Sequence, residues 1–307
     1  MMNLRDLKYL VAVADSHHFG HAAESCFVSQ PTLSGQIKKL ETELGVTLFE
    51  RTKRSVETTP LGETIACQAR IVLEQAEVLV QLAQANQDPL VGPLRIGAIP
   101  TLSPYLVPLI LKPLIKQYPQ IKLVLSEELT DTLLVRLGKH EIDAAMIATP
   151  VDNPEFETLP LFEEPFWLAH PRKHPLANKK TISQTDLDGA DLLLLAEGHC
   201  LAEQAMQVCH IHERSVQGDM ADLRAASLET LLQMVAAGLG STLLPALALK
   251  SPAVKDRNIA TRPLNLPDTY RQVLLVYRRS FPRQQVLDAF AEIVINNLPD
   301  SVGVLDG

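Results

Sequence analysis

The 307-residue chain has the composition of an ordinary globular protein, with 46% hydrophobic and 21% charged residues. Its 28 lysines and arginines against 36 acidic residues give a net charge of -8, which argues against a surface coated throughout by nucleic acid but permits a local basic patch. No apolar run approaches the roughly 20 residues that span a membrane, and the charged N-terminus does not resemble a signal peptide, so we expect a cytoplasmic protein without membrane contact. The four cysteines should then be reduced at rest.

Three short helices are predicted near the N-terminus. The apolar face of the first is formed by Leu4, Leu7, Leu10, Val11 and Val13. A second helix begins at Phe19, and a third follows Ser29, whose hydroxyl suits an N-cap. Pro31 falls in the first turn of the third helix, and Gly45 ends it. Two helices joined by a short turn, the second with small polar residues at its start, are typical of a DNA-binding helix-turn-helix.

A longer helix is predicted between Leu61 and Gln87, a stretch without proline. Its apolar residues recur at heptad spacing, in the order Ile65, Ala69, Val72, Ala76, Leu79 and Ala83. Alanine alternates with larger residues along this seam, so two such helices could approach closely, which predicts a dimerising linker helix. An amphipathic helix packed on its own chain is the alternative.

From Leu94 onward, apolar strand-like runs alternate with helix-length segments, which indicates an α/β domain with mostly parallel strands. The runs are 94–99, 121–127, 142–147, 192–195, 242–244 and 273–277. Ligands of such sheets bind beyond the carboxyl ends of the strands. The candidate site residues are therefore those that follow the runs: Thr101, Thr130, Ala148, Thr149, Gly198, His199 and Cys200.

The segment from Leu4 to Gly62 resembles the winged helix-turn-helix of LysR-type transcriptional regulators. The positions in register are Ala22-Ala23, Ser29-Gln30-Pro31, Ser34, Ile37, Leu40-Glu41, Leu44-Gly45, Leu48-Phe49, Arg51 and Thr59-Pro60-Leu61-Gly62. The rest of the chain is similar to the family's α/β effector domain, which has two lobes like a periplasmic binding protein. The resemblance implies an all-α winged helix-turn-helix at 1–60, a linker helix at 61–90 and an effector domain at 91–307, with lobe I at 91–163 and 269–307 and lobe II at 164–268.

The resemblance also implies the DNA-reading residues. Residues 1–60 hold seven basic and seven acidic side chains, so their net charge alone does not indicate DNA binding. The basic residues Arg51, Lys53 and Arg54 cluster where the family has its wing, and they suit phosphates or the minor groove. The start of the third helix presents Gln30, Pro31, Thr32, Ser34 and Lys38 to the major groove. A solvated polar face is the alternative for the helix.

Two cysteines are similar in context to those of the peroxide-sensing members of the family. The matching stretches are Gly198-His199-Cys200 with Cys209, residues 224–231 and residues 243–247. The resemblance implies that Cys200 is the thiolate that reacts with hydrogen peroxide, and that Cys209 attacks the resulting sulfenic acid to give a disulfide. From spacing alone, both could equally be buried small hydrophobic residues. That is the role we expect for Cys26 and Cys67, which have apolar neighbours in helical segments.

The spacing of Cys200 and Cys209 has a mechanical consequence. Eight residues separate them, mostly good helix formers. In a helix, nine steps put the two Cα atoms about 13 Å apart and on opposite faces. A disulfide needs Cα atoms within about 7 Å, so its formation would require the helix to unravel. Oxidation would then act as a conformational switch.

Further residues are expected to activate the Cys200 thiolate or to bind the peroxide. The predicted helix start at Gly198 and Cys200 should lower the thiol pKa through the helix dipole, and His199 is a nearby donor. By resemblance, Thr101 and Thr130 bring hydroxyl groups to the peroxide. Both threonines could instead be simple N-caps. The resemblance also implies that Arg271 supplies positive charge near Cys200.

Metal binding is a competing interpretation of the same segment. The residues His199, Cys200, Cys209, His210 and His212 are potential zinc ligands. If residues 200–209 are helical, however, the two cysteines face apart and cannot share one ion, so we expect no metal and no other cofactor.

The sequence as a whole predicts a peroxide-responsive transcription factor and not an enzyme. A regulator that binds a small metabolite between its lobes, with incidental cysteines, is the alternative, and a thiol peroxidase is a more distant one. The family resemblance implies promoter DNA and RNA polymerase as partners and a homotetramer built as a dimer of dimers. Hydrogen peroxide would be the signal, and glutathione with glutaredoxin, or thioredoxin, would be the reductant.

Overall fold

The computed structural model describes residues 2–51, 56–85, 90–187, 191–209, 224–255, 258–267 and 269–304. The chain forms two compact units, residues 1–88 and residues 89–307. Among the described residues, no helix combines the length and the apolar character that crossing a membrane requires.

The N-terminal unit consists of short helices and one hairpin. Its elements are α1 (Leu4–Ser16), α2 (Phe19–Ser25), α3 (Gln30–Leu44), β1 (Phe49–Arg51), β2 (Val56–Thr58) and α4 (Pro60–Ala85). The predicted start of α3 is confirmed, because the Ser29 hydroxyl accepts a hydrogen bond from the Thr32 amide and Pro31 lies in the first turn. Gly45 ends α3 in the left-handed region, at φ +70°. The core between these helices includes the fully buried Leu10, Leu33 and Ile37.

Helix α4 packs on its own unit through its first turns. Ala69 is buried there, and Arg70 forms a 2.5 Å ion pair with Asp15 of α1. Farther along the predicted seam, Val72 is 46% and Leu79 is 70% exposed. The intrachain interpretation therefore holds for the beginning of the helix, and the apolar residues farther along it remain available for the predicted dimer contact.

The C-terminal unit is built on one mixed sheet. Its strands are β3 (Gly92–Ala98), β4 (Ile121–Glu127), β5 (Ala144–Ile147), β6 (Phe156–Pro171), β7 (Thr242–Pro245), β8 (Ile259–Pro263), β9 (Tyr270–Arg278) and β10 (Gly303–Val304). The helices are α5 (Ser103–Gln117), α6 (Thr130–Gly138), α7 (Gln184–Leu187), α8 (Cys200–Val208), α9 (Leu228–Ala236), α10 (Pro252–Lys255) and α11 (Gln284–Asn296). The strand order is β10-β6-β9-β5-β3-β4, and β7 and β8 also pair with β6.

The expectation of mostly parallel strands is wrong. Among the described strands of this unit, β3 pairs in parallel with β4 and β5, whereas every other pair is antiparallel. The reason is that the long strand β6 pairs with β9 along its first part and with β7 and β8 along its second part, and it is antiparallel to each. One strand thus runs through both predicted lobes.

Three strands of this unit were missed, namely β6, β8 and the two-residue β10, and one was wrongly expected. Charged residues and prolines interrupt the apolar pattern of β6, and β8 lacks a long apolar run. The expected strand at 192–195 forms two isolated bridges, from Leu192 to Ser241 and from Leu195 to Ala225. The segment is nevertheless buried, so its apolar residues reflect packing in the core and not the formation of a strand.

Candidate functional site

Loops and helix starts of the C-terminal unit converge on Cys200. Thr101 lies in the turn after β3, Thr130 begins α6, and Cys200 begins α8. Together they line a small recess, whose other lining residues are Ile99, Pro100, Leu129, Gly198 and His199. The recess comprises about 160 Å³, including space open to solvent, and it is too narrow to hold a water molecule. Five of the predicted site residues thus surround one narrow recess.

The Cys200 thiol is buried in this recess, with 9% of the residue exposed. Burial raises the pKa of the thiol, because a thiolate loses solvation there. The charge of Arg271, the Thr130 hydroxyl and the backbone amides of Cys200 and Leu201 all act in the opposite direction. The expectation that the helix start would give a lowered pKa is wrong for this closed state, since desolvation outweighs the amides.

Arg271 is held by a buried hydrogen-bond network. Its Nη1 and Nη2 donate to the Oγ1 and backbone O of Thr101 at 2.9 and 3.0 Å. Its Nε donates to Oε2 of Glu164 at 2.9 Å, and neither charged side chain is exposed. The other carboxylate oxygen, Oε1, accepts from the Leu247 amide at 2.7 Å. Arg271 is therefore one half of an ion pair, and the negative charge of Glu164 weakens the electrostatic effect of Arg271 on Cys200.

Glu164 was not predicted as a site residue. It lies 107 positions before Arg271, and the two face each other in register across β6 and β9. In the sequence, Glu164 is a carboxylate close to apolar residues. That pattern points to a buried ion pair only when the pairing of β6 with β9 is known. Removal of Glu164 would leave the Arg271 charge buried without a counter-ion.

Neither predicted threonine is an N-cap. The cap position of α5 is Leu102 and that of α6 is Leu129, and neither has a side-chain cap hydrogen bond. The Thr101 hydroxyl accepts from Arg271, so its own proton remains available to donate. The Thr130 hydroxyl is buried with no nitrogen or oxygen partner among the described residues, and it lowers the pKa of the Cys200 thiol. The Thr101 hydroxyl is thus free to donate to an oxygen atom placed in the recess, and the Thr130 hydroxyl can donate either to such an oxygen or to the Cys200 sulfur.

The turn before Cys200 depends on glycine. Gly198 has φ +90°, and a Cβ atom there would lie 2.9 Å from Cδ1 of Leu129. His199 is buried at the N-cap position of α8, where its side chain makes no cap hydrogen bond. The close approach of Gly198 to Leu129 brings the start of α8 against the start of α6.

Helix α8 joins the two cysteines in the expected way. Cys200 is its first residue and Cys209 is its C-cap, and both are buried and not disulfide-bonded. The prediction that the segment is helical is confirmed. In the middle of the helix, Nε2 of Gln204 donates to the backbone O of Ala148 at 2.7 Å. Gln204 was not predicted as a site residue, and it fastens α8 to the end of β5.

The other two cysteines differ from expectation. Cys26 is half-buried and packs against the core of the N-terminal unit, in agreement with a structural role. Cys67 is exposed, so the expectation that it is buried is wrong.

A metal site finds no support in the part of the chain that is described. There, no group of three or more His, Cys, Asp or Glu side chains could hold a metal ion. Cys200 and Cys209 lie at opposite ends of α8, which separates two of the proposed ligands. His210 and His212 lie outside the described residues.

Most of the predicted DNA-reading residues of α3 are exposed. Gln30, Pro31, Thr32 and Lys38 are exposed on α3, and Ser34 is half-buried. The Thr32 hydroxyl is hydrogen-bonded to that of the N-cap Ser29 at 2.7 Å, which fixes its orientation. In the wing, Arg51 ends β1, whereas Lys53 and Arg54 lie outside the described residues.

Comparisons with known proteins agree with these features. Residues 4–63 match the family described as bacterial regulatory helix-turn-helix protein, lysR family, and residues 87–299 match the LysR substrate binding domain. The chain is therefore a member of the LysR family of bacterial transcriptional regulators.

Three relatives match nearly the whole chain. The DNA-binding transcriptional dual regulator OxyR of Escherichia coli K12 is 45% identical over 293 residues, which is 95% of each chain. A full-length OxyR variant from Pseudomonas aeruginosa has a TM-score of 0.81 at 40% identity, over 100% of this chain and 99% of that one. A cysteine variant of OxyR from Corynebacterium glutamicum, solved with hydrogen peroxide bound, has a TM-score of 0.63 at 36% identity, over 96% and 92% of the two chains.

Proposed function

We propose that this transcriptional regulator senses hydrogen peroxide through Cys200 and responds by forming a Cys200–Cys209 disulfide. The observation that carries the proposal is the convergence of a buried thiol and two hydroxyls on one narrow recess, with the buried Arg271 hydrogen-bonded to one of those hydroxyls. Peroxide has two heavy atoms, so a slight opening of the recess would admit it.

The chemistry assigns a role to each of these groups. The Cys200 thiolate attacks one peroxide oxygen, the O–O bond breaks, and the departing hydroxide takes up the proton released by the thiol to give water. Thr101 and Thr130 are placed to donate hydrogen bonds to the two oxygens, and Arg271 supports the developing negative charge. Cys209 then attacks the sulfenic acid at sulfur, forms the disulfide and releases a second water.

The second step requires a change of fold. An intact α8 holds the two Cα atoms about 13 Å apart, beyond the reach of a disulfide. A change in the ratio of intact to unravelled α8 from 99:1 to 1:99 corresponds to about 5.5 kcal/mol. If disulfide formation has to supply that free energy, the reduction potential of the disulfide rises by about 120 mV. A disulfide near about -300 mV would then lie near about -180 mV, within reach of glutathione with glutaredoxin, or of thioredoxin.

The response reaches DNA through the N-terminal unit. Promoter DNA would be read by α3 with Gln30, Pro31, Thr32, Ser34 and Lys38, and by the wing with Arg51, Lys53 and Arg54. The exposed apolar residues of α4 support pairing of two chains, and a dimer of dimers would give a tetramer. In this proposal the disulfide changes how effector domains pair, so that DNA contacts shift between successive half-sites and alter recruitment of RNA polymerase.

The first test is intact mass with peptide mapping, before and after one equivalent of hydrogen peroxide. The proposal expects loss of two hydrogens per chain and a Cys200–Cys209 crosslink. Cys200→Ser should abolish the reaction. Cys67→Ser, which removes an exposed thiol, is the matched control and should leave it intact.

The same experiment separates the competing functions. An unchanged mass with all thiols still titratable would refute peroxide sensing and favour a small ligand between the lobes. Sustained peroxide turnover with a thiol reductant, at a rate independent of DNA, would indicate a peroxidase. DNA footprints that coincide for the reduced and oxidised protein would refute the proposed shift between half-sites.

A further inference from the structure

Phe27 is an exposed aromatic residue beside the recognition helix. It lies in the turn between α2 and α3, and 95% of it is exposed. Its backbone has φ +56°, in the left-handed region that a bulky side chain rarely occupies. Both features oppose stability, because the ring gains nothing from burial and glycine would fit the backbone better.

The position of the ring is fixed by its neighbours. The Phe27 amide donates to the carbonyl of Glu24 at 3.1 Å, and the Val28 amide donates to that of Ala23 at 3.0 Å. The Val28 side chain packs against the core of the unit. Since the residue after Phe27 points inward and the turn is hydrogen-bonded on both sides, the ring cannot turn into the core and is held on the surface.

Phe27 lies close to the start of the predicted DNA-reading helix. Three Cα–Cα steps lead from Phe27 to Gln30, so the two Cα atoms are at most about 11 Å apart. Gln30, Pro31 and Thr32 are exposed directly after the turn. An aromatic ring in this place has neither a charge for phosphate nor a donor for a base edge, so the chemistry that it can recognise is apolar.

We propose that Phe27 is a DNA contact of this regulator, and that its ring packs on an apolar part of a nucleotide next to the bases read by α3. The apolar groups available there are the thymine methyl, in the major groove, and the deoxyribose of the backbone. The inference rests on the proposed function only in taking the α3 face as the side that meets DNA.

The test compares variants of the full-length protein on one DNA duplex, selected by the wild-type chain from a random pool. Phe27→Gly should weaken binding about 5- to 30-fold, comparable to the loss of one base-pair contact. Its thermal midpoint should stay unchanged or rise, because glycine suits the positive φ. Phe27→Asn tolerates the same backbone without adding glycine flexibility, and should weaken binding similarly. Phe27→Tyr keeps the ring and should bind like the wild type.

The salt dependence distinguishes this contact from an ionic one. Phe27→Gly should lower affinity equally at every salt concentration, since the ring displaces no counterion, whereas Lys38→Ala should reduce the slope of log K against log salt if Lys38 meets phosphate. His17→Gly is the matched control, because His17 is also exposed at positive φ, +48°, at the end of α1. It should leave DNA affinity unchanged.

Replacement of each thymine by deoxyuridine identifies the group that is contacted. A position at which the replacement weakens the wild type but not Phe27→Gly assigns the ring to that methyl group. If no position behaves in this way and Phe27→Gly still binds more weakly than the wild type, the ring is assigned to the deoxyribose. If Phe27→Gly and Phe27→Asn bind DNA with wild-type affinity, the inference about Phe27 is overturned and the proposed function is not affected. Failure of the wild type to select any duplex would instead count against the proposed function.

Discussion

Gln204→Leu should make the Cys200–Cys209 disulfide harder to reduce. In the reduced structure, Gln204 on α8 donates to the backbone O of Ala148 at 2.7 Å. Leucine has nearly the helix propensity of glutamine, so the substitution removes the hydrogen bond without weakening the helix itself. If α8 unravels on oxidation, the bond exists only in the reduced form, and its loss destabilises that form selectively.

The expected size of the shift follows from the burial of the two groups. A net hydrogen bond contributes about 1 kcal/mol, and an acceptor left unpaired when buried costs about 1–3 kcal/mol. Ala148 is 3% exposed, so its carbonyl would lack water. The Oε1 atom of Gln204 is itself buried without a partner among the described residues, and leucine removes that cost. The net destabilisation of the reduced form is about 1–2 kcal/mol, which lowers the reduction potential of the Cys200–Cys209 disulfide by about 20–40 mV.

The assay is a glutathione redox titration of the full-length protein, with the disulfide followed by mass. The midpoint ratio of reduced to oxidised glutathione should move about 5- to 20-fold toward more reducing conditions. Gln207→Leu is the matched control, because Gln207 is exposed on the same helix and has no side-chain hydrogen bond among the described residues. Equal midpoints for Gln204→Leu and wild type would refute the reasoning, since the Ala148 contact would then survive oxidation.

Three further predictions concern the recess. Glu164→Gln leaves the buried charge of Arg271 without its counter-ion, so the C-terminal unit should lose about 3–5 kcal/mol in urea unfolding; a loss below 1 kcal/mol would show that Arg271 relaxes to solvent. Gly198→Ala strains a residue at φ +90° and forces a Cβ onto Leu129, so reaction with peroxide in stopped flow should slow; an unchanged rate would contradict that turn geometry. The alkylation rate of Cys200 should keep rising with pH past the range in which an exposed thiol is already ionised, because burial raises the pKa of the Cys200 thiol above its ordinary value; a plateau near neutral pH would contradict that direction.

Local sequence signals predicted the local structure. The N-cap at Ser29, the end of α3 at Gly45 and the helix between Cys200 and Cys209 depend on residues close in the chain, and all three are confirmed. The position of Thr101 and Thr130 after predicted strands made them candidate site residues, but the family resemblance was needed to give their hydroxyls a role.

Features that depend on strand pairing could not be predicted. Glu164 and Arg271 meet because β6 and β9 pair with one particular register, and no local pattern encodes that register. The parallel arrangement was inferred from alternating strands and helices, but the long strand β6 pairs antiparallel to its neighbours. The direction of the Cys200 pKa was missed for a similar reason: the amides at the helix start are local, whereas the burial that outweighs them comes from distant residues.

The contact between α8 and β5 is weak in a way that suits a reversible sensor. Its hydrogen bond from Gln204 is a neutral one. Had that link been a buried ion pair like Arg271 with Glu164, breaking it on oxidation would cost about 3–5 kcal/mol and raise the reduction potential by about 60–110 mV. Peroxide could still oxidise such a protein, but its reduced form would be restored under much milder conditions. The ion pair lies between β6 and β9, outside the helix that would unravel in the proposed disulfide formation, so the recess would keep its charge network while α8 rearranges.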